Sequence, residues 1–376
     1  MQTSRPTVSY IEIVRKKSNT MEHTFSQIES DLKEKKQKKV IKCVVWDLDD
    51  TIWQGVLLEN DQLVLREGIV DILKTLDSWG IINSIASKNN YDDAIRMLER
   101  FGIREYFLYP QIHWDLKSNS IQKIKEKLNI GMDAIAFIDD QPFERDEVAF
   151  VHEQVNCLDV GSIGQVLEWF KPRFITEESS LRRKMYLDDE VRHQEEQEIG
   201  NNRKFLESLA LTFSIQAATV NDLQRVEELT LRTNQLNATG YSYTYEELEA
   251  LIQSPDHHLF VAELIDKYGS YGKIGVAMVE CNPQTWTLKL LLMSCRVMSR
   301  GVGGVLLNYI MNLARQKGCT LQAEFLPTDR NRLMYVTYKF AGFTEAGQLT
   351  NGGVLLSHSL AEEVPYAEYI NLSLPE

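Results

Sequence analysis

Apolar and polar positions in the first half of this chain follow two alternating periods. Short apolar runs with strand character are separated by segments in which apolar residues recur at helical spacing. The pattern predicts three strands, at Val40–Asp47, Ile82–Ser87 and Ala134–Asp139, with helices near residues 68–79, 90–101 and 118–129 between them. Strands that alternate with helices are typical of a parallel sheet, so we predict an α/β domain here.

In the second half, several strands follow one another directly. Apolar runs predict strands at Phe213–Thr219, Leu259–Leu264, Ile274–Glu280, Thr287–Cys295 and Thr320–Phe325. Helical spacing marks residues 221–233, 305–317 and 329–341, and a glycine-rich turn occupies residues 300–304. Strands joined by hairpins and followed by a strand–helix–strand unit imply a mixed sheet.

A change in composition separates the two halves. Residues 177–204 are rich in charge, which suits a solvated connecting helix. We therefore expect five segments: a linker or tail at 1–39, the parallel-sheet domain at 40–176, the connecting helix at 177–204, the mixed domain at 205–360 and a C-terminal tail at 361–376.

Charge, hydropathy and cysteine content narrow the classes of function. The 376 residues carry a formal net charge of −13, and because residues 1–39 are basic, the remainder is strongly acidic and is expected to repel nucleic acid. No apolar run reaches the roughly 18 residues of a membrane-spanning helix. Five scattered cysteines without a C-x-x-C pair point to a reducing, cytoplasmic location.

Polar side chains suited to phosphate chemistry follow the predicted strands of the first half. They are Asp47, Asp49, Thr51, Ser87, Lys117, Asp139 and Asp140. Because parallel strands present their carboxyl ends at one edge of a sheet, we expect these side chains to converge. Carboxylates suit Mg²⁺, while a hydroxyl and an ammonium suit the oxygens of a phosphate. The alternative interpretation is that these polar strand ends only cap the sheet.

These residues form four motifs in chain order: Asp47, Asp49 and Thr51; Ser87; Lys117; and the Asp139-Asp140 pair. The motifs resemble those of the haloacid dehalogenase (HAD) superfamily of phosphatases, which have a Rossmann-type parallel sheet. The resemblance implies that Asp47 attacks phosphorus and that Asp49 shuttles the proton. It also implies a Mg²⁺ site and a phosphate site, the first at Asp47, Asp49, Asp139 and Asp140, the second at Thr51, Ser87 and Lys117. Residues 52–86 are too few for a large cap domain, so we expect the site to be open to a bulky partner or roofed by the second domain.

The second half resembles the GNAT acyltransferases. Asn331, Tyr338 and the Gly342-Phe343 pair match that family's N-x6-Y-x3-GF ending. Residues 300–304 match its glycine-rich loop, where backbone N–H groups would meet the pyrophosphate of a pantetheine carrier. Because Val305 stands where the loop pattern has a small residue, we expect a protein-tethered pantetheine here rather than acetyl-coenzyme A.

Cys295 ends a predicted strand, where a GNAT protein holds the acyl thioester. A thiolate there offers covalent catalysis, and we expect Arg296, Arg300 and the following helix N-terminus to lower its pKa. Polar residues that suit a small hydroxylated acid end an earlier helix: Asn234, Gln235 and Asn237. The alternatives are that Cys295 is one more buried thiol and that the asparagines only terminate the helix.

An HAD-like half followed by a GNAT-like half, with these motifs, resembles the FkbH-like domains of polyketide biosynthesis. The resemblance implies that a three-carbon glyceryl unit from 1,3-bisphosphoglycerate, or a related phosphorylated acid, is captured as a Cys295 thioester, dephosphorylated, and passed to the phosphopantetheine of an acyl carrier protein. The expected substrate contacts are Asn234, Gln235, Asn237, Arg296, Arg300 and Tyr338. Residues 1–39 then fit a linker within a larger synthase.

Two other functions remain open on these motifs. One is a plain Mg²⁺-dependent phosphatase whose second domain only binds or regulates. The other is an acetyl-coenzyme A-dependent N-acetyltransferase joined to an inactive phosphatase. Acylation of the protein itself separates these from the FkbH-like function, since neither alternative leaves an acyl group on the chain.

Overall fold

The structure is a computed structural model that describes residues 40–59, 62–298 and 300–375. The linker or tail expected at residues 1–39 lies outside this range. The described chain contains two α/β domains, each built around its own main sheet. Within it, no helix has both the length and the apolar composition that crossing a bilayer requires.

Seven strands belong to the first domain: β1 (Cys43–Trp46), β2 (Trp53–Gln54), β3 (Val64–Leu65), β4 (Ile82–Ser87), β5 (Gln111–Ile112), β6 (Ile135–Asp139) and β7 (Asn156–Asp159). β2 and β3 form a hairpin, and the others form a parallel sheet in the order β5-β4-β1-β6-β7. All of β1 is buried between β4 and β6. Burial on both faces explains why the sequence here is continuously apolar instead of alternating.

Helices connect these strands: α1 (Ile69–Ser78), α2 (Tyr91–Arg100), α3 (Lys117–Leu128), α4 (Pro142–Val151) and α5 (Val166–Phe170). The first three agree with the periodicity to within one residue at each end. The apolar pattern does not predict β5 or β7, because β5 has two residues and both ends of β7 are exposed. The described residues between 52 and 86 form the β2–β3 hairpin, α1 and β4, so this part holds no large cap domain.

The connecting segment at 177–204 contains α6 (Glu177–Ser180), α7 (Arg182–Ile199) and the start of α8 (Asn202–Ser208). Its charges are not all solvated, because some arginines are buried in ion pairs. The Arg192 guanidinium is 1% exposed and donates to both carboxylate oxygens of Asp266 in the second domain, at 2.7 and 2.9 Å. It also lies 4.1 Å from the centre of the Tyr271 ring. This pair ties α7 to the second domain.

The second domain has one mixed sheet of eight strands: β8 (Thr212–Ala217), β9 (His257–Asp266), β10 (Gly269–Cys281), β11 (Thr285–Met293), β12 (Thr320–Phe325), β13 (Thr344–Gln348), β14 (Val354–His358) and β15 (Asn371–Ser373). Their order is β13-β14-β12-β11-β10-β9-β8-β15. The pairs β11–β12 and β8–β15 are parallel, and the others are antiparallel. The sheet is therefore mixed, as the succession of strands predicts.

Four helices complete this domain: α9 (Leu223–Arg232), α10 (Tyr245–Gln253), α11 (Gly303–Gln316) and α12 (Arg332–Phe340). α11 supplies much of the core, with Leu306, Leu307 and Ile310 fully buried. Val305 also points into this core, so its size reflects packing of the helix. The sequence pattern does not predict α10.

β11 and β12 pair over four residues, from Thr285 to Leu288 on β11, and the two strands diverge beyond that point. The segment Leu236–Ala238 fills the gap between them. Its Leu236 carbonyl accepts a hydrogen bond from the Met293 N–H at 2.9 Å, and its Ala238 carbonyl accepts one from Leu326 at 3.1 Å. The chain that follows α9 is thus built into the sheet beside the end of β11.

The C-terminal tail expected at 361–376 is instead part of the second domain. The Asn312 side chain, on α11, exchanges two hydrogen bonds of 2.9 Å with the backbone of Val364. β15 then extends the sheet by pairing with β8. The apolar pattern misses this docking because β15 has three residues, two of them exposed, and is held by partners distant in sequence.

The second domain docks on the amino-terminal edge of the parallel sheet. Lys42, which precedes β1, donates from Nζ to the Arg232 carbonyl at 2.6 Å. The Arg232 guanidinium donates to the carbonyl of Gly80, before β4, at 3.3 Å. Asp133, before β6, pairs with Arg330 at 2.9 Å. These contacts leave the carboxyl edge away from the second domain and favour an open site over a roofed one.

We expect Arg192→Met to lower the free energy of unfolding by about 3–5 kcal/mol, because it leaves the Asp266 carboxylate buried without its partner. Chemical denaturation measures the change. The matched control is Arg203→Met on α8, whose exposed pair with Glu207 is worth about 0.3–0.5 kcal/mol. Equal losses in the two variants would contradict a structural role for the buried pair.

Candidate functional site

Three carboxylates gather at the carboxyl edge of the parallel sheet: Asp47, Asp139 and Asp140. Each offers an oxygen within 4.8 Å of the others. Asp47 directly follows β1 and Asp139 ends β6, so two neighbouring strands bring them together. Lys117, at the start of α3, lies between them, with Nζ 2.7 Å from Asp47 and 2.6 Å from Asp139.

The electrostatics of this group favour a bound cation. Burial and then the neighbouring Asp139 raise the pKa of Asp47 to about 7, although Lys117 opposes the rise. Burial and Asp139 also raise the pKa of Asp140. One Asp140 oxygen, Oδ1, is buried without a hydrogen-bond partner. Carboxylate oxygens arranged around a site with an unpartnered acceptor fit a hard divalent cation.

Asp49 lies outside that group, which corrects the prediction that it is a fourth metal ligand. Its Oδ1 accepts hydrogen bonds from the Trp53 indole at 2.8 Å and the Leu57 N–H at 3.1 Å. Its Oδ2 accepts one from the Asn89 amide at 3.1 Å. These donors come from the β2–β3 hairpin and from the loop after β4, and they hold the carboxylate in one orientation. The geometry suits an acid or base that is positioned beside the metal group.

The predicted phosphate ligands converge on the same edge. The Thr51 hydroxyl is fully buried and has no hydrogen-bond partner, so it has a free donor for a ligand oxygen. The Ser87 hydroxyl accepts a hydrogen bond from Asn89 at 3.1 Å. Asn89 thus contacts both Ser87 and Asp49, and the sequence motifs do not assign it a role. Its position two residues after the end of β4 is the signal that identifies it.

A second candidate site is a cavity of about 680 Å³ between the domains. Its walls come from the first domain, from α7 and from the second domain, including Lys42, Arg182, Arg225, Arg232, Thr233, Cys295, Arg296 and Arg300. This volume is in the range of pockets that hold small ligands. Cys295 therefore faces a space that both domains form.

The Cys295 thiol is more basic than the sequence predicts. Burial raises its pKa, and the charge of Lys42 is the largest influence that opposes the rise. The backbone N–H groups of Leu236 and Gln235 also favour its thiolate. We expected Arg296 and Arg300 to lower this pKa. Neither is among the largest influences on this pKa, and both guanidinium groups contact other partners.

Those partners are residues of α7 and β10. Arg296 donates to the Met185 sulfur at 2.7 Å and to the Tyr271 carbonyl at 3.1 Å. Arg300 donates to the Tyr271 hydroxyl at 3.2 Å and pairs with Glu196 at 3.5 Å. Both arginines still line the cavity, so they remain candidates to contact a ligand there.

Lys42 is a basic residue of the cavity that the motifs do not single out. Burial, followed by repulsion from Arg232, lowers its pKa to about 7. Cys295 and Asp133 raise it, and Arg182 lowers it further. A large fraction of Lys42 is therefore neutral near pH 7 and can accept a proton.

The remaining predicted substrate contacts have different environments. The Asn237 side chain accepts from the N–H groups of Thr239 and Gly240 and donates to the Tyr241 carbonyl, so it shapes its own turn. Tyr338 is fully buried in the core, away from the Cys295 cavity. Asn234 and Gln235 stay partly exposed in the segment beside Cys295. Asn237 lies beyond the end of the helix at Arg232 and stabilises a later turn, so it does not terminate the helix, and the Gln235 backbone is what favours the thiolate.

One glycine of the glycine-rich loop, Gly301, lies against the chain's own C-terminal segment, whereas Gly303 and Gly304 face open space. Gly301 has a φ of +70° and lies against the Tyr369 hydroxyl, so any larger side chain would clash there. Asn308, in the first half of α11, donates to the Pro365 carbonyl at 3.1 Å. A ligand approaching the loop from this side meets residues 364–369.

The two sites lie at opposite ends of β1. Lys42 borders the Cys295 cavity, and Asp47 belongs to the acidic group. Four residues lie between Lys42 and Asp47, so five steps of extended chain place their Cα atoms about 16 Å apart. A small molecule bound at one site therefore does not touch the other.

Comparison with known proteins gives separate relatives for the two halves. Residues 3–155 match the family of haloacid dehalogenase-like hydrolases. Over 153 residues the chain is 24% identical to human magnesium-dependent phosphatase 1, covering 34% of this chain and 86% of that protein.

Solved structures align with either half. A Bacteroides fragilis protein fragment with a phosphatase domain, complexed with Mg, is 30% identical over 36% of this chain, with a TM-score of 0.32. The alignment spans about two fifths (41%) of that chain's length. The ribosomal-protein-S18-alanine N-acetyltransferase of Escherichia coli is 18% identical over 42% of this chain and 100% of its own, with a TM-score of 0.32.

The family match and the two sheet topologies define the class of this chain. It is an α/β protein of two domains, in which a parallel-sheet domain, covered by the family match up to residue 155, precedes a domain with a mixed sheet. The match to haloacid dehalogenase-like hydrolases covers less than half of the chain and includes the acidic group.

We expect Asp139→Asn to weaken Mg²⁺ binding by at least about tenfold, because it removes a charged oxygen ligand from the acidic group. Isothermal titration with Mg²⁺ measures the affinity. Asp71→Asn, at an exposed position on α1, is the matched control and should bind as the unchanged protein does. An unaltered affinity in Asp139→Asn would place the cation elsewhere.

Proposed function

We propose that this protein captures a glyceryl-type acyl group from 1,3-bisphosphoglycerate on Cys295 and delivers it to the phosphopantetheine of an acyl carrier protein. The HAD-like domain removes the remaining phosphate in a Mg²⁺-dependent reaction. The observation that carries the proposal is the interdomain cavity, which combines a thiol, a proton acceptor and a set of arginines. The human relative, which is a magnesium-dependent phosphatase, supports the second activity.

The phosphatase step follows from the acidic group. Mg²⁺ held by Asp47, Asp139 and Asp140 would neutralise phosphate oxygens and align the ester. The Asp47 carboxylate attacks phosphorus, the bond from phosphorus to the ester oxygen breaks, and Asp49 protonates the departing alkoxide. Water then hydrolyses the aspartyl phosphate, with Asp49 accepting its proton. Trp53 and Asn89 keep Asp49 oriented for both transfers.

The capture step uses the activation of the donor. An acyl phosphate is an activated carbonyl compound, so the Cys295 sulfur attacks C1, the C1–O bond breaks, and inorganic phosphate leaves. A thioester of 3-phosphoglycerate remains on the protein. The Leu236 and Gln235 N–H groups that stabilise a thiolate also suit the negative charge that develops beside sulfur.

Lys42 supplies the base for this attack. The thiol is protonated at neutral pH because burial raises its pKa, so it needs a group that takes its proton as sulfur attacks. Lys42 lines the same cavity, and burial lowers its pKa to about 7. Its neutral amine accepts the proton and becomes an ammonium, which then stands beside the departing phosphate.

The separation of the sites sets the order of the steps. A three-carbon chain on Cys295 does not extend along β1 to Asp47, about 16 Å from Lys42. The phosphate therefore stays on the acyl group until a carrier thiol takes the group from Cys295. A carrier arm can then present the phosphate at the open carboxyl edge. This order differs from that implied by the family resemblance, in which the phosphate is removed before transfer.

Contacts at Gly301, on one side of the glycine-rich loop, support a carrier over free coenzyme A, although Gly303 and Gly304 face open space. Tyr369 and the segment bound to Asn312 occupy one side of the loop. A carrier-bound arm gains affinity from protein–protein contact and depends less on a pyrophosphate site.

The first experiment incubates the protein with 1,3-bisphosphoglycerate and Mg²⁺ without a carrier. Intact mass spectrometry should show one acyl adduct that still contains the phosphate, mapped to Cys295. Cys295→Ala should abolish the adduct, whereas Cys281→Ala, at a half-buried cysteine on β10, should keep it. No adduct, or an adduct on another cysteine, would refute acyl capture. An adduct without phosphate would refute the order of steps.

Lys42→Met tests the base. In the unchanged protein, the initial rate of Cys295 acylation should rise with pH through about 7, because only the neutral amine accepts a proton. In Lys42→Met this inflection should disappear and the rate near pH 7.5 should fall by about 10²-fold, the usual scale of general base catalysis. Quench-flow acylation assays provide the rates. The control is Lys127→Met, on the same cavity wall, and a retained inflection in Lys42→Met would exclude Lys42 as the base.

A further inference from the structure

The cavity beside Cys295 contains more buried positive than negative charge. Arg182 and Arg225 bind Glu228, the first through contacts of 2.5 Å and the second at 2.6 Å, and Arg232 approaches it at 4.0 Å. Three guanidinium groups thus share one carboxylate. Arg225 has a further acidic neighbour, Glu178, at 3.4 Å.

Arg296 is the least compensated of the four arginines. It donates to the neutral Met185 sulfur and to the Tyr271 carbonyl. It forms no ion pair with any acidic residue that the structure describes. Asp189 is the carboxylate that raises the pKa of Arg296 most, but it forms an ion pair with Arg192 at 2.9 Å. A guanidinium without a counter-ion is costly to bury, so this position favours a bound anion.

Two other observations agree with an anion here. Arg300 is 4% exposed and lines the cavity, and its Nη1 group makes no hydrogen bond but has a long ion-pair contact of 3.5 Å with the Glu196 carboxylate. Burial, then repulsion from other arginines, lowers the pKa of Arg232 to about 9 and that of Arg296 to about 10. The cavity therefore disfavours its own positive charges as long as no anion balances them.

We propose that the interdomain cavity is a phosphate-binding site that holds a phosphorylated small acid, with its phosphate at Arg232 and Arg296 and its carboxyl carbon near Cys295. The planar fork of arginine suits phosphate oxygens, and a cavity of about 680 Å³ accommodates a three-carbon acid with one phosphate. The position of the carboxyl carbon rests on the proposed function, whereas the phosphate site does not. This site is distinct from the phosphate site of the HAD-like domain, which lies at the other edge of the sheet.

The test measures how ligands protect Cys295 from alkylation by iodoacetamide, with the modified peptides quantified by mass spectrometry. EDTA is present throughout, so that the acidic group holds no metal. 3-Phosphoglycerate should protect Cys295 at least about tenfold more effectively than glycerate, because only the first carries the phosphate. Cys319, near the opposite end of the sheet strands, serves as the internal control and should react equally in all samples.

Variants assign the contact. Arg296→Gln and Arg232→Gln should each weaken protection by 3-phosphoglycerate about tenfold or more. Arg296→Lys, which keeps the charge but loses the fork, should lie between Arg296→Gln and the unchanged protein, and it replaces Arg296→Gln should that variant fail to fold. The control is Arg203→Gln, at an exposed position on α8. In this variant 3-phosphoglycerate should protect Cys295 as well as it does in the unchanged protein.

The outcomes separate this inference from the proposed function. Equal protection by glycerate and 3-phosphoglycerate, or full protection in both arginine variants, would overturn the phosphate site even where Cys295 is acylated. Loss of protection in Asp47→Asn, which leaves the cavity intact, would overturn it as well. Phosphate-dependent protection without acylation by 1,3-bisphosphoglycerate would support the phosphate site and refute the capture reaction.

Discussion

Strand β1 is the element on which both candidate sites depend. It lies at the centre of the parallel sheet, is fully buried, and has Lys42 immediately before it and Asp47 immediately after it. Residues at the two ends of one buried strand cannot approach each other without unfolding the sheet. The position of Asp47 thus fixes the acidic group at one edge, and the position of Lys42 fixes one wall of the thiol cavity at the other.

The cavity exists because the second domain docks on the amino edge of that sheet. Arginines carry much of the contact: Arg182 and Arg232 donate to the Gly80 carbonyl, and Arg183 pairs with Asp77 at 2.9 Å. An interface made of buried arginines is stable only where each charge is balanced. Glu228 balances some of them, and the proposed anionic ligand would balance others. Binding of that ligand and the alignment of the two domains would then depend on the same side chains.

The sequence predicts the convergence of the acidic side chains, because strand ends in a parallel sheet meet at one edge wherever the strands are correctly placed. Asp47, Ser87 and Asp139 follow from that rule alone. The orientation of Asp49 does not, since it depends on donors from Trp53 and Leu57 in a short hairpin that has no clear sequence pattern.

Lys42 shows why the second site is less accessible to sequence reasoning. In the sequence it is a single basic residue near the start of the predicted strand Val40–Asp47, a few residues after a basic run. Only the docked position of Arg232, distant by 190 residues, reveals that it is buried and that its pKa is lowered to about 7. Its function depends on both domains, so neither half alone contains a complete thiol site. The acidic edge, by contrast, is built from residues of the first domain by itself, so its geometry does not depend on the docking of the second domain.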